Sequence, residues 1–264
     1  MASKPRVLIL TGNGLNCERE SHFAWERVGA DADLVHLHDI LEEPKRLLSY
    51  QALMFIGGFS YGDHLGSGLA MALRVGNAMR DELDHFIDGG GLVLGVCNGF
   101  QVMVKLGLLP ALDSGRFTQT LALMQNDCGT FQNRWVEVGF EPDSPCVFTR
   151  DIDRMQLPIR HGEGKVYTPV KAHLAAVESA DCVACRYIDP QTGQPTQSFP
   201  MNPNGSLNAI AGLCDPTGRV FGLMPHPEAS LLSCNHPHWK ERGYCRTGEE
   251  GGGMTIFRNA VACM

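Results

Sequence analysis

The chain has 264 residues, 44% of them hydrophobic, which is enough for a large α/β domain with a buried core. Its formal net charge is -7 and it has no run of lysine or arginine, so a nucleic-acid partner is not expected. It has no apolar stretch long enough for a membrane helix and no apolar core of a signal peptide, so we predict a cytoplasmic protein without membrane contact. Its ten cysteines are expected to be free thiols, most of them buried.

The first half of the chain alternates short apolar runs with amphipathic segments. The runs predict buried strands over residues 6–10, 34–37, 52–56 and 92–96. The apolar spacing between them predicts helices over residues 16–28, 71–88 and 98–106. Asn16 is the expected N-cap of the first helix. This alternation favours an α/β fold with a doubly wound, mostly parallel sheet and helices on both faces, which places ligands beyond the carboxyl ends of the strands.

The second half of the chain has apolar runs without long helices between them. They predict strands over residues 121–125, 135–140, 156–160, 183–188, 209–213 and 220–224. We expect hairpins or an added antiparallel layer there. Residues 189–206 predict a long loop, residues 248–253 a shorter flexible stretch, and residues 254–262 a last helix. With no repeat and no clear linker, one domain over residues 1–264 is expected.

The segment Gly95-Val96-Cys97-Asn98-Gly99 lies where a predicted strand ends and a helix begins. A nucleophile between glycines at such a turn is held in a strained, exposed conformation. The N-terminus of the helix also favours a thiolate at Cys97. The alternative is a buried structural cysteine whose neighbouring glycines serve packing alone.

The segment Pro225-His226-Pro227-Glu228 follows the predicted strand 220–224. A cysteine nucleophile needs a base, and the base needs an acceptor for its second ring N–H. His226 can be that base and Glu228 that acceptor. Taken alone, the segment is a histidine in a rigid surface turn, but together with Cys97 it predicts a Cys-His-Glu triad.

A glycine-rich loop, residues 56–63, follows the strand 52–56. Backbone N–H groups in such a loop can hold the oxyanion that forms during acyl transfer. The N–H groups of Gly58 or Phe59, with that of Asn98, are our candidates. The alternative is a plain loop without a role in catalysis.

These segments resemble the class I, or triad-type, glutamine amidotransferases. Residues 95–101 are similar to the nucleophile segment of that family, in which the residue matching Gln101 helps to hold the substrate glutamine. His226 and Glu228 match the other triad members. Within the class, the resemblance covers nearly the whole chain and is to the glutaminase subunits of phosphoribosylformylglycinamidine synthase. It is carried by residues 14–20, 57–63, 126–135, 160–164 and 202–206.

The resemblance implies a flavodoxin-like sheet and a reaction in which Cys97 attacks the side-chain amide of L-glutamine. It implies that ammonia then passes to a synthetase subunit, which uses ATP to convert formylglycinamide ribonucleotide to the amidine in purine biosynthesis. A small bridging subunit is also implied. ATP and magnesium belong to that partner, so no cofactor and no metal are expected in this chain, which has no GxxxxGK[ST] loop. Because the chain starts at Met1 without an attached synthetase, we expect a separate subunit.

The same resemblance indicates further candidates for the glutamine site or for a subunit contact. They are Asn126, Phe131, Arg134, His161 and Glu163. The chain departs from the family pattern at Cys128, where serine is usual, and at Gln132, where glutamate is usual. The departures leave the triad intact and concern details of glutamine binding or subunit contact.

Other cysteine and histidine patterns are weaker signals. Cys182 and Cys185 have the spacing of zinc or redox cysteines, but no second pair follows, and on a strand they face opposite ways. His236 and His238, beside Cys234, are expected to be surface loop residues rather than metal ligands.

Two alternative functions stay open at this point. One is another enzyme on the same scaffold, such as a γ-glutamyl hydrolase or a different amidotransferase. The other is a non-catalytic interaction subunit, against which the complete set of Cys97, His226 and Glu228 argues.

Overall fold

The computed structural model describes residues 4–241 and 248–264. Its strands are β1 Arg6–Thr11, β2 Asp31–His36, β3 Ala52–Phe55, β4 Leu92–Val96, β5 Ala122–Gln125, β6 Gln132–Phe140, β7 Arg154–His161, β8 Glu163–Tyr167, β9 Val183–Tyr187, β10 Ile210–Cys214 and β11 Val220–Leu223. Its α-helices are α1 Glu18–Arg27, α2 Leu37–Glu42, α3 Leu69–Ala78, α4 Arg80–Asp88, α5 Asn98–Lys105, α6 Lys171–Ser179 and α7 Met254–Ala262. Nine strands form one sheet, in the order β2-β1-β3-β4-β11-β10-β9-β6-β7.

The half of this sheet from β2 to β11 is parallel. Every residue of β3, β4 and β11 is buried, which explains why the sequence shows unbroken apolar runs there. The connections from β1 to β2 and from β3 to β4 run in opposite directions across the sheet, so right-handed crossovers place α1 and α3 on opposite faces. Helix α7 packs with α1, and α5 packs with α3. The predicted doubly wound α/β fold is confirmed.

The other half of the sheet, from β11 to β7, is antiparallel. Most of the predicted antiparallel strands therefore extend the main sheet. Strands β5 and β8 pair separately as a two-stranded antiparallel sheet. Strand β8 was not predicted, because the apolar pattern of Glu163–Tyr167 is short and mixed with charges.

The helix predicted over residues 71–88 is two helices in the structure. Met79 lies between α3 and α4 with φ -140° and ψ 24°, which is not helical. Its side chain is fully buried, as are those of Val75 and Leu83 on either side. Periodicity did not show the break because both helices bury the same apolar face.

Several other segments differ from the sequence-based expectation. The predicted strand 34–37 begins earlier and ends at His36, whose Nδ1 accepts a hydrogen bond from the backbone N–H of His38 and caps the unpredicted helix α2. The N-cap of α1 is Cys17 rather than Asn16. Helix α6 lies between strands that we expected to follow one another, and it buries only Val177, so its amphipathic signal is weak.

The long loop predicted over residues 189–206 contains no helix or strand, apart from an isolated bridge between Ile188 and Pro195 at its start. The glycine-rich stretch 248–253 is held more tightly than we expected. The N–H groups of Gly251 and Gly253 donate to the carbonyls of Leu231 and Ser230, at 2.8 and 3.0 Å. Among the described residues, no helix combines the length and the apolar composition needed to span a bilayer.

Candidate active site

The turn between β4 and α5 has the backbone of a nucleophile elbow. Cys97 has φ 52° and ψ -105°, a conformation that side chains rarely adopt. A Cβ on Gly99 would lie 2.0 Å from the carbonyl oxygen of Phe55, and one on Gly95 would lie 2.2 Å from the sulfur of Met103. Helix α5 therefore lies so close to β3 that Gly99 requires glycine, and a side chain at Gly95 would displace Met103.

The side chain of Cys97 is buried, at 4% exposure, and not exposed as the elbow pattern predicted. Its thiol donates to the carbonyl of Arg160 at 3.6 Å. Arg160 is the last residue but one of β7. A strand from the antiparallel half of the sheet therefore lies against the elbow.

His226 and Glu228, three and five residues beyond the end of β11, form a buried pair. Nδ1 of His226 lies 2.5 Å from Oε1 of Glu228, and both residues are 2% exposed. A carboxylate can only accept, so Nδ1 carries the proton of this hydrogen bond. The backbone N–H of His226 donates to the carbonyl of Pro158 at 2.8 Å, which fixes the turn against β7.

The register of the sheet brings Cys97 and His226 together. Strands β4 and β11 are parallel neighbours in which Val96 pairs with Leu223, so the residues that follow them meet at one edge. Burial favours a neutral imidazole, but the negative charge of Glu228 and then that of the Cys97 sulfur raise the pKa of His226 well above its ordinary value. Nε2 of His226 makes no hydrogen bond to any residue that the structure describes.

A second thiol, that of Cys17, lies against the same imidazole, and the sequence did not assign it a role. Its sulfur, a ring nitrogen of His226 and a carboxylate oxygen of Glu228 lie within 4.8 Å of one another. Burial raises the pKa of the Cys17 thiol to about 11, although contact with His226 opposes this. A Cβ on Gly57 would lie 2.8 Å from Cε1 of His226 and 3.1 Å from the Cys17 sulfur, so the absence of a side chain at Gly57 makes this contact possible.

The glycine-rich loop after β3 lies beside the elbow, but only some of its N–H groups are available. The N–H of Phe59 donates to the carbonyl of Gly14 at 2.7 Å and is engaged in this conformation. That of Gly58 makes no backbone hydrogen bond among the described residues. Asn98 is the first residue of α5, so its N–H has no acceptor within the helix. Gly58 and Asn98 are thus the freer of the predicted oxyanion donors.

Gln101 links helix α5 to the turn between β7 and β8. Its Nε2 donates to the carbonyl of Glu163 at 2.6 Å, and its Oε1 accepts from Nδ2 of Asn98 at 2.9 Å. Oδ1 of Asn98 accepts in turn from the N–H of Ser60, in the glycine-rich loop. These bonds tie helix α5 both to the glycine-rich loop after β3 and to the start of β8.

Asn126 and His161 support the same turn from within the protein. Nδ2 of Asn126 donates to the carbonyl of His161 at 2.9 Å, and its Oδ1 lies 3.1 Å from Nδ1 of that histidine. Burial, with a smaller contribution from the charge of His226, lowers the pKa of His161 to about 3. His161 is therefore a neutral, buried side chain, and its Nε2 has no partner among the described residues.

The remaining contact candidates, Phe131 and Arg134, make contacts with other aromatic and polar side chains. Phe131 is 51% exposed and packs against Phe59, with 6.2 Å between the ring centroids. The guanidinium of Arg134 lies over the ring of Phe199 at 4.9 Å and donates to Gln132. The two departures from the family pattern touch each other, since Nε2 of Gln132 donates to the sulfur of Cys128 at 3.2 Å.

The other cysteine and histidine patterns do not form metal sites among the described residues. Cys182 lies next to Cys214, which affects its pKa, and both are buried in the sheet. Nε2 of His236 lies 2.7 Å from Oε1 of Gln156, and His238 pairs with Glu241 at the surface. The expectation of surface loop histidines is wrong for His236, which is buried at 7% exposure, whereas His238 is exposed.

A doubly wound sheet with a cysteine elbow beside a buried His-x-Glu at the neighbouring strand end is the arrangement expected of a class I glutamine amidotransferase, and the comparisons assign the chain to that class. The family model for the CobB/CobQ-like glutamine amidotransferase domain matches residues 4–264. The phosphoribosylformylglycinamidine synthase subunit PurQ of Methanococcus maripaludis strain C5 is 42% identical over 97% of both chains. That of Dehalococcoides mccartyi is 40% identical over 98% of this chain and 97% of its own. The chain belongs to this PurQ family.

One solved structure supports the same assignment, and a second shares the fold. The structure of PurLQS from Thermotoga maritima contains a chain that is 28% identical to this one, with a TM-score of 0.70. The match covers 98% of this chain and 99% of that one. A glutamine amidotransferase from Thermotoga maritima, 16% identical with a TM-score of 0.51 over 92% of this chain and 84% of its own, shares the fold.

Proposed function

We propose that the chain hydrolyses glutamine with Cys97 as nucleophile, His226 as acid and base, and Glu228 as the group that orients the imidazole. The ammonia serves the synthesis of formylglycinamidine ribonucleotide. The observation that carries this proposal is the buried hydrogen bond of 2.5 Å between His226 and Glu228, at the strand end beside the Cys97 elbow.

The first half of the reaction forms a thioester. The Cys97 thiolate attacks the side-chain amide carbon of glutamine, and the N–H groups of Gly58 and Asn98 stabilise the oxyanion. The raised pKa of His226 favours an imidazolium beside this sulfur. The imidazolium gives its proton to the leaving nitrogen, so that ammonia departs as a neutral molecule.

The second half of the reaction releases glutamate. His226, now neutral, takes a proton from water, which attacks the thioester carbon and restores the Cys97 sulfur. Glu228 holds the proton on Nδ1 throughout, so Nε2 is the nitrogen that exchanges protons. Asn98 and Gln101 keep the surrounding loops in place, and Gln101 is a candidate to contact the substrate.

The released ammonia needs a partner, because this chain alone does not consume it. We propose that this partner is a synthetase, joined through a small bridging subunit, and we place ATP and magnesium on the synthetase. The curated relatives are named as subunits of one synthase, and the Thermotoga maritima structure is of PurLQS. The exposed pair of Phe59 and Phe131 beside the site supports a protein contact at this face. The cytoplasmic location stays a prediction.

Glutaminase assays on Cys97→Ala test the proposed nucleophile. We expect glutamate release from glutamine to be abolished and thermal melting to be nearly unchanged, since a small buried side chain is replaced by a smaller one. Cys234→Ala removes an exposed thiol that has no place in the proposed site and is the matched control, expected to keep its activity. Activity retained in Cys97→Ala removes this residue from the mechanism.

A second measurement separates this function from its rivals. Labelling with a glutamine-like alkylating agent should modify Cys97 in the native chain and no other cysteine. Hydrolysis of γ-glutamyl peptides at a rate above that of glutamine would identify a γ-glutamyl hydrolase instead. Synthesis of the amidine, measured with the co-purified synthetase, tests the proposed partner.

A further inference from the structure

The cluster of Cys17, His226 and Glu228 contains more donor atoms than glutamine hydrolysis uses. One donor from each residue lies within 4.8 Å of the other two, and all three residues are buried. Among the residues that the structure describes, this is the one group of three such ligands at that spacing. A thiol, an imidazole and a carboxylate together are the donor types that zinc prefers.

The fold holds Cys17 in this place. It is the N-cap of α1, its carbonyl accepts from the N–H of Ser21 at 3.2 Å, and its thiol lies 3.5 Å from Oδ1 of Asn16. Gly57 borders the cluster without a side chain, and a Cβ there would contact both the sulfur and the imidazole. The three donors are therefore prearranged by α1, the loop after β3 and the turn after β11.

Two atoms of the cluster are buried without hydrogen bonds to described residues. They are Nε2 of His226 and Oε2 of Glu228. Buried polar atoms are rarely left without a partner, because they have lost their hydrogen bonds to water and gained none in the protein. The proposed reaction gives Nε2 a task but leaves Oε2 and the Cys17 thiol without one. The Cys17 sulfur lies within 4.8 Å of a ring nitrogen of His226 and of a carboxylate oxygen of Glu228.

We propose that Cys17, His226 and Glu228 bind a thiophilic divalent cation such as Zn²⁺, and that the bound ion arrests glutamine hydrolysis. On binding, the Cys17 thiol and the His226 imidazolium each release one proton to solvent, and the sulfur, a ring nitrogen and a carboxylate oxygen each donate an electron pair to the ion. A water molecule completes a tetrahedron. An ion on Nε2 occupies the lone pair that accepts the proton, whereas an ion on Nδ1 leaves the ring proton on Nε2. In either case the base is lost.

Binding itself does not depend on the proposed function, but the inhibition does, so the two are measured separately. Binding is measured by titrating the full chain with Co²⁺ and recording the absorption of the thiolate–cobalt bond, followed by displacement with Zn²⁺. We expect one ion per chain. Cys17→Ser should abolish this absorption and weaken metal binding at least tenfold. Loss of a residue that only supports a metal ligand typically costs about tenfold or more in affinity, so loss of a ligand itself should cost no less.

Two further variants make the binding test specific. Glu228→Gln keeps the shape of the side chain but removes the carboxylate, and should also weaken Co²⁺ binding. Cys234→Ser is the matched control, because Cys234 is an exposed thiol close in sequence to His236 and His238. The proposal is overturned if the native chain gives no thiolate–cobalt absorption, or if Cys17→Ser binds Co²⁺ as tightly as the native chain does.

The inhibition is measured as glutaminase activity at buffered concentrations of free Zn²⁺. We expect the half-inhibitory concentration to rise at least tenfold in Cys17→Ser and to stay the same in Cys234→Ser. Equal inhibition of the native chain and Cys17→Ser would contradict the regulatory part of the proposal. If the native chain lacks glutaminase activity, the proposed function fails, while the Co²⁺ titration still decides whether the site binds metal.

Discussion

Replacement of Glu228 by glutamine tests the central hydrogen bond of the proposed site. Oε1 of Glu228 accepts from Nδ1 of His226 at 2.5 Å, and both residues are 2% exposed, so water does not compete for the bond. Glutamine has nearly the same shape but no charge. Its amide N–H can turn toward Nδ1 and move the ring proton to Nε2. The imidazole then has no lone pair for the proton transfers at Cys97.

We expect kcat for glutamine hydrolysis to fall about 10⁴-fold in Glu228→Gln, the loss typical of a triad whose orienting carboxylate becomes an amide. At about 1.36 kcal/mol per factor of ten, this is a loss of ~5.4 kcal/mol of transition-state stabilisation. KM should change little, because Glu228 contacts the imidazole in the proposed mechanism and not the substrate. His226→Ala should cost more, since it removes the base itself.

The assay is release of glutamate by the purified chain together with its co-purified partner. Thermal melting of each variant controls for folding. Glu20→Gln makes the same chemical change at an exposed position of α1 and should keep full activity. If Glu228→Gln kept more than about a tenth of the native kcat, the carboxylate would not orient the base as we propose. A loss as complete as that of His226→Ala, with an intact fold, would mean that Glu228 does more than orient.

Two further predictions concern stability. The pKa of His226 is raised in the folded chain, since the charges of Glu228 and Cys97 outweigh burial. A raised folded pKa contributes stability that is fully present below the ordinary value of about 6.5 and is lost as the pH rises through the folded pKa. Glu228→Gln should therefore lower the free energy of unfolding most at acidic pH. Urea denaturation at several pH values measures this. A loss of stability that does not depend on pH would contradict the prediction. Gly99→Ala should lower that free energy by about 1–3 kcal/mol, because the new Cβ would lie 2.0 Å from the Phe55 carbonyl and force α5 away from β3. Gly252→Ala, whose Cβ would meet Met155 at 3.6 Å, is its control, and equal stabilities of the two variants would refute the packing argument.

The sequence by itself determined the local structure around the site. Strand β4 and helix α7 have the predicted bounds, because a fully buried strand leaves an unbroken apolar run and an amphipathic helix leaves a periodic one. The elbow was predictable for a similar reason. Glycines on both sides of Cys97 indicate close approach of the backbone, and the contacts that a Cβ would make at Gly95 and Gly99 confirm it.

Contacts between distant segments were decided by the tertiary structure. Cys17 lies far before His226 in the sequence, and only the strand order brings the N-terminus of α1 to the turn after β11. The burial of Cys97 beneath Arg160 and the contact of Cys128 with Gln132 also depend on how β7, β6 and their loops fold back. A periodic pattern records which face of an element is buried, but not which element covers it. The sequence therefore indicated the chemistry of single residues, while the sheet register decided which donors share one site.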